Sequence, residues 1–543
     1  MTKAQSKSSK FQTFTRKYGV WIVLAAIVLL GVFFRFYQLD QLPPGLHPDE
    51  AANGQDVFRI FTGDIRPLYA TNGPRESLFF FFQAAFVKLL GNTVLALRMA
   101  PALMGVLAIV AVYYWGKDWF GQRVGLLAAF FLAVNPWVVI ISRDGFRASM
   151  TPLMVALVAY FGGRAIKTKK TINFVLAGIA LGLGMYTYTA FQLMVAATFG
   201  LLVYVVLFRR QWLKGMRKQL IAGVMAFAVV AAPLVAYSVT HPEAASRAGG
   251  TSVLNKELNK GKPLEALTSS VSKTLLQYNF YGDTNPRHNV PEQPYLNTFV
   301  GIMFLLGILV SLSQIKHARY IAVLFITAAM MLPAALTAEG LPHGLRSIGS
   351  APGVMLLAAI GLSYFIGRWY AIFPINSFAR NIGLALVFLL LAATATQGYY
   401  AYFRAWAGSP LSYDAYAEDM VAVAGYTNAN LSGAGAPKTY MVIDGYTIRT
   451  VDFLTRAEGD YAKQNTDKDF GLNRGSGWER LEWQDVKSVP ISDQPTVFVI
   501  QQNERTDEVI ETLKVKYPQG KLNQYSSPSF PDRRLYSVYE VNR

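Results

Sequence analysis

Apolar runs of about 20 residues, the length that crosses about 30 Å of hydrocarbon, recur from Gly19 to about Ala405 and then stop. The first, Gly19 to Leu39, follows a segment carrying Lys3, Lys7, Lys10, Arg16 and Lys17. It is too long for a signal-peptide core and has no small-residue cleavage site, which predicts an anchor whose basic end stays in the cytoplasm. Later spans are expected at about 150–166, 172–188, 190–208, 219–239, 295–313, 320–338, 349–368 and 381–403. Basic clusters at Lys167 to Lys170, Arg209 to Lys218, Lys316 with Arg319, and Arg368 to Arg380 mark the cytoplasmic loops between them.

Glu76 and Arg143 should both lie outside, yet three apolar runs, about 77–91, 94–115 and 124–141, separate them. An even number must cross. The run interrupted by Asn135-Pro136 is expected not to span, because proline frees backbone groups that a lipid-exposed helix cannot leave unpaired. About eleven transmembrane helices result.

After Arg404 the pattern shortens. Lys438-Thr-Tyr-Met-Val-Ile-Asp and Thr496-Val-Phe-Val-Ile predict buried strands, Asp507 to Tyr517 a helix, and Arg534 to Val541 an edge or final strand. The expected fold is therefore a polytopic α-helical membrane protein with a C-terminal extracytoplasmic α/β domain. Its parts are a cytoplasmic tail (1–18), a membrane domain (19–403) with outer loops 40–75, 241–294 and 339–347, and a soluble domain (404–543).

Charge supports this division. Of 51 basic and 33 acidic residues, 16 and 19 lie from Arg404 onward, leaving 35 and 14 before it. The excess of the first part sits in short loops between apolar runs, so it reads as membrane orientation and argues against nucleic acid as a partner. Thirteen of the fourteen acids in the membrane part fall on the expected outer side; Asp118 is the one the count does not place. There is no cysteine, hence no disulfide, thiolate metal site or cysteine nucleophile. No glycine-rich phosphate loop is present, and Ser432-Gly-Ala-Gly-Ala reads as a turn, so no nucleotide cofactor is expected.

The outer segments hold the candidate chemistry. Pro48-Asp49-Glu50, preceded by His47, puts two carboxylates at the rim of the first span. Proline followed by two acids also suits the start of a surface helix, Asp49 to Gly63. As chemistry, Asp49 fits a general base with Glu50 beside it. In Ser142-Arg143-Asp144-Gly145-Phe146-Arg147 the two arginines, four apart, would share a helix face and grip a phosphate. His343 and Arg346 in Pro342-His343-Gly344-Leu345-Arg346 offer the same chemistry. Arg75 and Glu76, with Arg287 and His288 from the turn-rich Tyr281 to Asn289, complete a possible cavity lining or acceptor site alongside His47. No metal-ligand spacing is visible; a divalent cation would have to be assembled from distant segments.

In their order and expected side of the membrane, Pro48-Asp49-Glu50, Gly73-Pro74-Arg75-Glu76-Ser77-Leu78, Ser142 to Arg147 and Pro342 to Arg346 resemble the membrane-embedded GT-C glycosyltransferases. The nearest branch is the bacterial protein O-mannosyltransferase and aminoarabinose-transferase group. The resemblance covers about residues 19–403. It implies transfer of a sugar from a polyprenyl-phosphate-type donor to an acceptor on the outer face, usually with inversion. It further implies Asp49 as base with Glu50 as neighbour or acceptor-binding group, and Arg143, Arg147 and Arg346 on the donor phosphate. Family members often read Glu-Pro-Leu where this chain has Glu76-Ser77-Leu78.

The residues themselves agree with such an activity. A donor used outside must be carried by lipid, its departing phosphate needs positive charge, and an attacking hydroxyl needs a carboxylate. The expectation is thus an inverting glycosyltransferase of the bacterial cell envelope, multi-pass in the plasma membrane, acting on a protein, lipid or glycan. A flippase of lipid-linked sugars would put acids or broken helices at mid-membrane. A non-catalytic polysaccharide-assembly subunit would tolerate loss of Asp49.

Overall fold

The computed structural model describes residues 3–69, 73–242, 248–463, 473–491 and 493–542. Residues 70–72 and 243–247, within two of the expected outer loops, lie outside that set. Among the described residues eight helices are long and apolar enough to cross a membrane: Tyr18–Phe36, Val94–Phe120, Arg147–Thr168, Thr189–Phe208, Arg217–Thr240, Ala318–Ala335, Gly344–Ile372 and Ser377–Trp406. Four shorter apolar helices, Leu78–Leu90, Gln122–Val134, Thr171–Gly184 and Thr298–Ser313, complete the bundle. Small residues set its close crossings: a side chain at Gly307 or Gly361 would collide with the backbone of Leu357 or Met303 on the facing helix.

The bundle has two chemically distinct ends. At one, Arg209 reaches the Lys316 carbonyl at 3.2 Å, Arg319 the Trp119 carbonyl at 3.0 Å, and Lys167 lies 3.4 Å from Asp118. The basic loops, and Asp118 with them, therefore gather there. The other end carries the C-terminal domain and the short helix α2 (Pro48–Phe61) that follows α1 (Lys3–Phe36).

The run expected not to span is the wrong one. Helix α3 (Leu78–Leu90) begins beside Glu76, which pairs with Arg147, and is followed two residues after its end by Asn92, which bonds Arg456 and Tyr461 of the C-terminal domain. Both its ends lie at the same end of the bundle. Helix α4 (Val94–Phe120) instead runs to the basic end, and α5 (Gln122–Val134) with α6 (Pro136–Ile141) returns along it. The break at Pro136 is tolerated because it is buried in protein: Arg35 of α1 donates to the exposed carbonyls of Leu132 (3.2 Å) and Ala133 (3.0 Å). The Asn135 side chain caps Val138 at 3.2 Å.

Helix α2 is not the surface helix its sequence suggests. Pro48 opens it, the His47 ring accepts from the Asp49 N–H at 3.1 Å, and Glu50 reaches back to the His47 N–H at 3.3 Å, a capping box with histidine in the serine role. Its residues from Glu50 to Phe58 are buried, because it is held between the bundle and the helix Ile448–Thr455 of the C-terminal domain.

That domain is built on a six-stranded sheet in the order β4 (Arg474–Gly475), β5 (Trp478–Arg480), β3 (Lys438–Val442), β6 (Thr496–Gln501), β8 (Arg534–Val541), β7 (Lys521–Ser526). β3 is parallel to both neighbours, β6–β8–β7 is antiparallel, and the Leu68–Tyr69 (β1) and Arg75–Glu76 (β2) ribbon belongs to the loop after α2. The expected strands and helix appear. β8 is last in sequence but interior to the sheet, since both its neighbours bond to it.

Candidate active site

A cavity of about 660 Å³ opens at the end that carries the C-terminal domain. Its lining brings together Asp49, Arg75, Arg147, Arg287, His288, His343 and Arg346, which come from five segments far apart in sequence. Asp49 sits in the first turn of α2. Its Oδ1 accepts from the Tyr446 hydroxyl at 3.0 Å, and its Oδ2 lies 3.6 Å from Arg287 Nη1 and 3.8 Å from His47 Nδ1.

Glu50 points the other way. Its carboxylate is wholly buried, receiving Arg98 at 3.1 and 3.2 Å and the Gly145 N–H at 2.7 Å, in addition to the cap on His47. Arg98 also donates to the carbonyls of Pro43 and Gly45, each at 2.7 Å. Glu50 therefore joins the loop before α2, the start of α4 and the 142–146 segment. The expectation that it acts beside Asp49 in catalysis is corrected: no oxygen of it lines the cavity, and its acceptor capacity is spent on structure.

Arg143 is corrected for a similar reason. Its guanidinium donates to the carbonyls of Phe34 (2.9 Å), Tyr37 (2.8 Å), Gln38 (3.1 Å) and Leu42 (2.9 Å), capping the end of α1 and tying down the loop after it. The segment 142–146 is not helical, so Arg143 and Arg147 share no face. Asp144 beside them is buried, and burial, with the Glu50 charge second, holds its carboxyl well above the usual range.

Each cavity arginine already has one carboxylate. Arg75 pairs with Asp56 at 2.6 Å, Arg147 with Glu76 at 2.7 Å, Arg346 with Glu339 at 3.3 Å, and Arg287 approaches Asp49. Arg75 also donates to Asn53 Oδ1 at 2.7 Å, and Glu76 accepts from Thr189 at 2.7 Å. A guanidinium carries five donors in a rigid fork, so such pairing orients the group and leaves it donors for an anion.

Burial pushes three histidines of this region, His47, His288 and His343, toward the neutral form. Burial, then the Arg287 charge, lowers the His47 pKa to about 3, and Arg287 Nη1 approaches its Nε2 at 2.8 Å. Burial likewise lowers His288 and, more strongly, His343. His288 Nδ1 is 2.8 Å from Asp283 Oδ2, which also accepts the Gly344 N–H at 2.8 Å. Asp283, His288 and His343 place ligand-type atoms within 4.8 Å of one another. Their arrangement does not suit a shared metal: the two imidazoles stack at 4.7 Å with planes 21° apart, whereas an ion bound by both must lie in both ring planes. The group reads as an Asp–His pair with a stacked histidine.

Sequence reasoning missed Tyr446, Asp283, Asp56 and Asn53. Asp283 lay inside the turn-rich segment already singled out, and Asp56 and Asn53 follow one helical turn or more after Asp49. Tyr446, two residues past the end of the β3 run, carried no signal, because nothing in the sequence joins that loop to the membrane part.

Residues 75–236 match the family model described as dolichyl-phosphate-mannose-protein mannosyltransferase. The fold is similar to that of ArnT from Cupriavidus metallidurans in the apo state (TM-score 0.55, 15% identity, covering 97% of this chain and 98% of that one). The same enzyme bound to undecaprenyl phosphate gives a TM-score of 0.54 at 14% identity, over 96% and 98%. The Archaeoglobus fulgidus oligosaccharyltransferase in the apo form gives 0.52 at 14% identity, over 82% of this chain and 64% of that one. The ArnT likeness thus extends through the C-terminal domain. No curated protein matches by sequence.

Proposed function

We propose that the chain, whose residues 75–236 match the mannosyltransferase family model and whose fold is similar to that of ArnT, is a GT-C superfamily member of the protein-mannosyltransferase and ArnT branch, an inverting glycosyltransferase acting outside the cytoplasm on a polyprenyl-phosphate-linked sugar. The observation that carries the reading is one cavity lined by Asp49 and by arginines each oriented by a carboxylate. By the positive-inside rule the basic end of the bundle is cytoplasmic, which puts the cavity and the C-terminal domain outside and the N-terminus inside.

In this reading the acceptor hydroxyl attacks the anomeric carbon as the bond to the phosphate oxygen breaks. The hydroxyl proton passes to Asp49, and the electron pair leaves on the lipid phosphate, which Arg147, Arg346 and Arg287 receive. A phosphate leaving group needs no protonation, so one carboxylate suffices, unlike glycoside hydrolysis, which ordinarily uses two. His343 and His288 form the wall beside Arg346, neutral donors or acceptors to the sugar or phosphate. The bound undecaprenyl phosphate of the ArnT structure is the lipid class that this reading expects.

The test is transfer of radiolabel from polyprenyl-phosphate hexose or pentose into the acceptor fraction of membranes containing the protein. Transfer that depends on Asp49 supports the reading; no consumption of either donor class contradicts it.

A further inference from the structure

Through Tyr446 the C-terminal domain touches Asp49, which lines the cavity, and that contact is built rather than incidental. Asp444 at the end of the β3 run forms an Asx turn, accepting the N–H groups of Tyr446 (2.8 Å) and Thr447 (3.0 Å). Its own N–H is fixed to Gln501 at the end of β6, 3.1 Å away. The turn is therefore bolted to two adjacent strands of the sheet.

Immediately after it, the helix Ile448–Thr455 docks on α2. Arg449 donates to Gln55 Oε1 (2.7 Å), Gln55 donates to Asp452 (2.9 Å), and Thr450 donates to the Leu46 carbonyl (2.9 Å). Phe453 stacks on Phe58 at 5.4 Å and lies over Gly54, where any side chain would collide with its ring. Between this fixed turn and this docked helix stands Tyr446. Its ring meets His47 edge-on at 6.0 Å and its hydroxyl donates to Asp49 Oδ1 at 3.0 Å.

We propose that Tyr446 is a positioning residue for Asp49, so that the C-terminal domain completes the active site by fixing the orientation and basicity of the base. The proposal rests on the reading of Asp49 as base. An O–H donor on one carboxylate oxygen restricts rotation about the side chain and favours the ionised form. Asp49 otherwise senses His47 from its own helix cap, Arg287 from the 281–289 loop, Arg75 from β2 and Arg449 from the docked helix. Tyr446 gives it an uncharged hydroxyl donor.

The experiment compares wild type, Tyr446→Phe and Asp49→Asn, each as the full chain in proteoliposomes, with whichever of polyprenyl-phosphate hexose or pentose the wild type consumes. Rates are measured across pH with thermal unfolding alongside. The phenylalanine keeps the ring against His47, so unfolding should be unchanged. Its rate should fall about 10-fold at neutral pH, and the acid limb of its pH profile should move up by about one unit, because a carboxylate stripped of a donor keeps its proton to higher pH. Loss of rate without a shift of the limb, or no change in either, overturns the positioning role while leaving the base assignment intact. Asp49→Asn at wild-type rate, or a wild type that consumes neither donor, overturns the base reading and the proposal with it.

Discussion

Asp49 and Glu50 are adjacent in the chain and serve opposite ends of one turn. Asp49 faces the cavity beside Tyr446 and Arg287, while Glu50 is sealed against Arg98 on the far side of α2. Their substitution should separate chemistry from folding. Glu50→Ala leaves the Arg98 guanidinium buried without its carboxylate, which costs about 3–5 kcal/mol. The expected result is poor recovery and a lowered thermal midpoint, measured in detergent, with donor consumption lost in proportion to folded protein.

Arg143→Ala should behave as a structural variant as well. It strips donors from four carbonyls at the end of α1 and in the loop after it, and each unsatisfied buried group costs about 1–3 kcal/mol. The protein that remains folded should show an unchanged KM for the lipid donor.

Arg147→Ala and Arg346→Ala should do the reverse. Both groups line the cavity on a paired carboxylate, and a charge-assisted hydrogen bond to phosphate is worth about 1.5–3 kcal/mol. Donor KM should rise about 10- to 100-fold; the thermal midpoint should hold for Arg346→Ala, whose partner Glu339 is exposed, and fall for Arg147→Ala, which leaves the buried Glu76 unpaired. Lysine at 346 should restore part of the affinity, since it supplies charge without the fork.

Acid should loosen the site from its histidines. His47, His288 and His343 all have pKa values lowered by burial, His47 to about 3. The unfolded chain, with histidines near 6.5, binds more protons, so stability is full above about pH 6.5 and falls as pH drops toward the folded values. Thermal midpoints measured from pH 7.5 to 4.5 should decline through this window, and His47→Asn should flatten part of the slope.

Much of this molecule is legible in its sequence, and the limits have physical causes. Hydrophobic length and the placement of Lys and Arg give the helices and their two ends, because membrane spans are set by a local length requirement. The Asn135-Pro136 break misled, since its cost depends on what surrounds it, and Arg35 supplies the missing donors from a helix about a hundred residues away. The same holds for the arginines. Spacing shows that Arg143 and Arg147 are near one another, but not that one caps α1 and the other faces the cavity. Asp49 and Glu50 differ only in which side of a helical turn they occupy, and that is decided by Arg98 and the packing of α2, not by the dipeptide. Tyr446 belongs to a domain whose docking is a tertiary event with no local pattern.

The central claim is that Asp49 takes the acceptor proton in transfer from a lipid-linked sugar. Its most direct measurement is the rate of label transfer from polyprenyl-phosphate sugar by Asp49→Asn in membranes, at matched levels of folded protein. The account predicts a fall of about 10²- to 10⁴-fold, the ordinary worth of a general base, with donor binding retained. Transfer at the wild-type rate would contradict it.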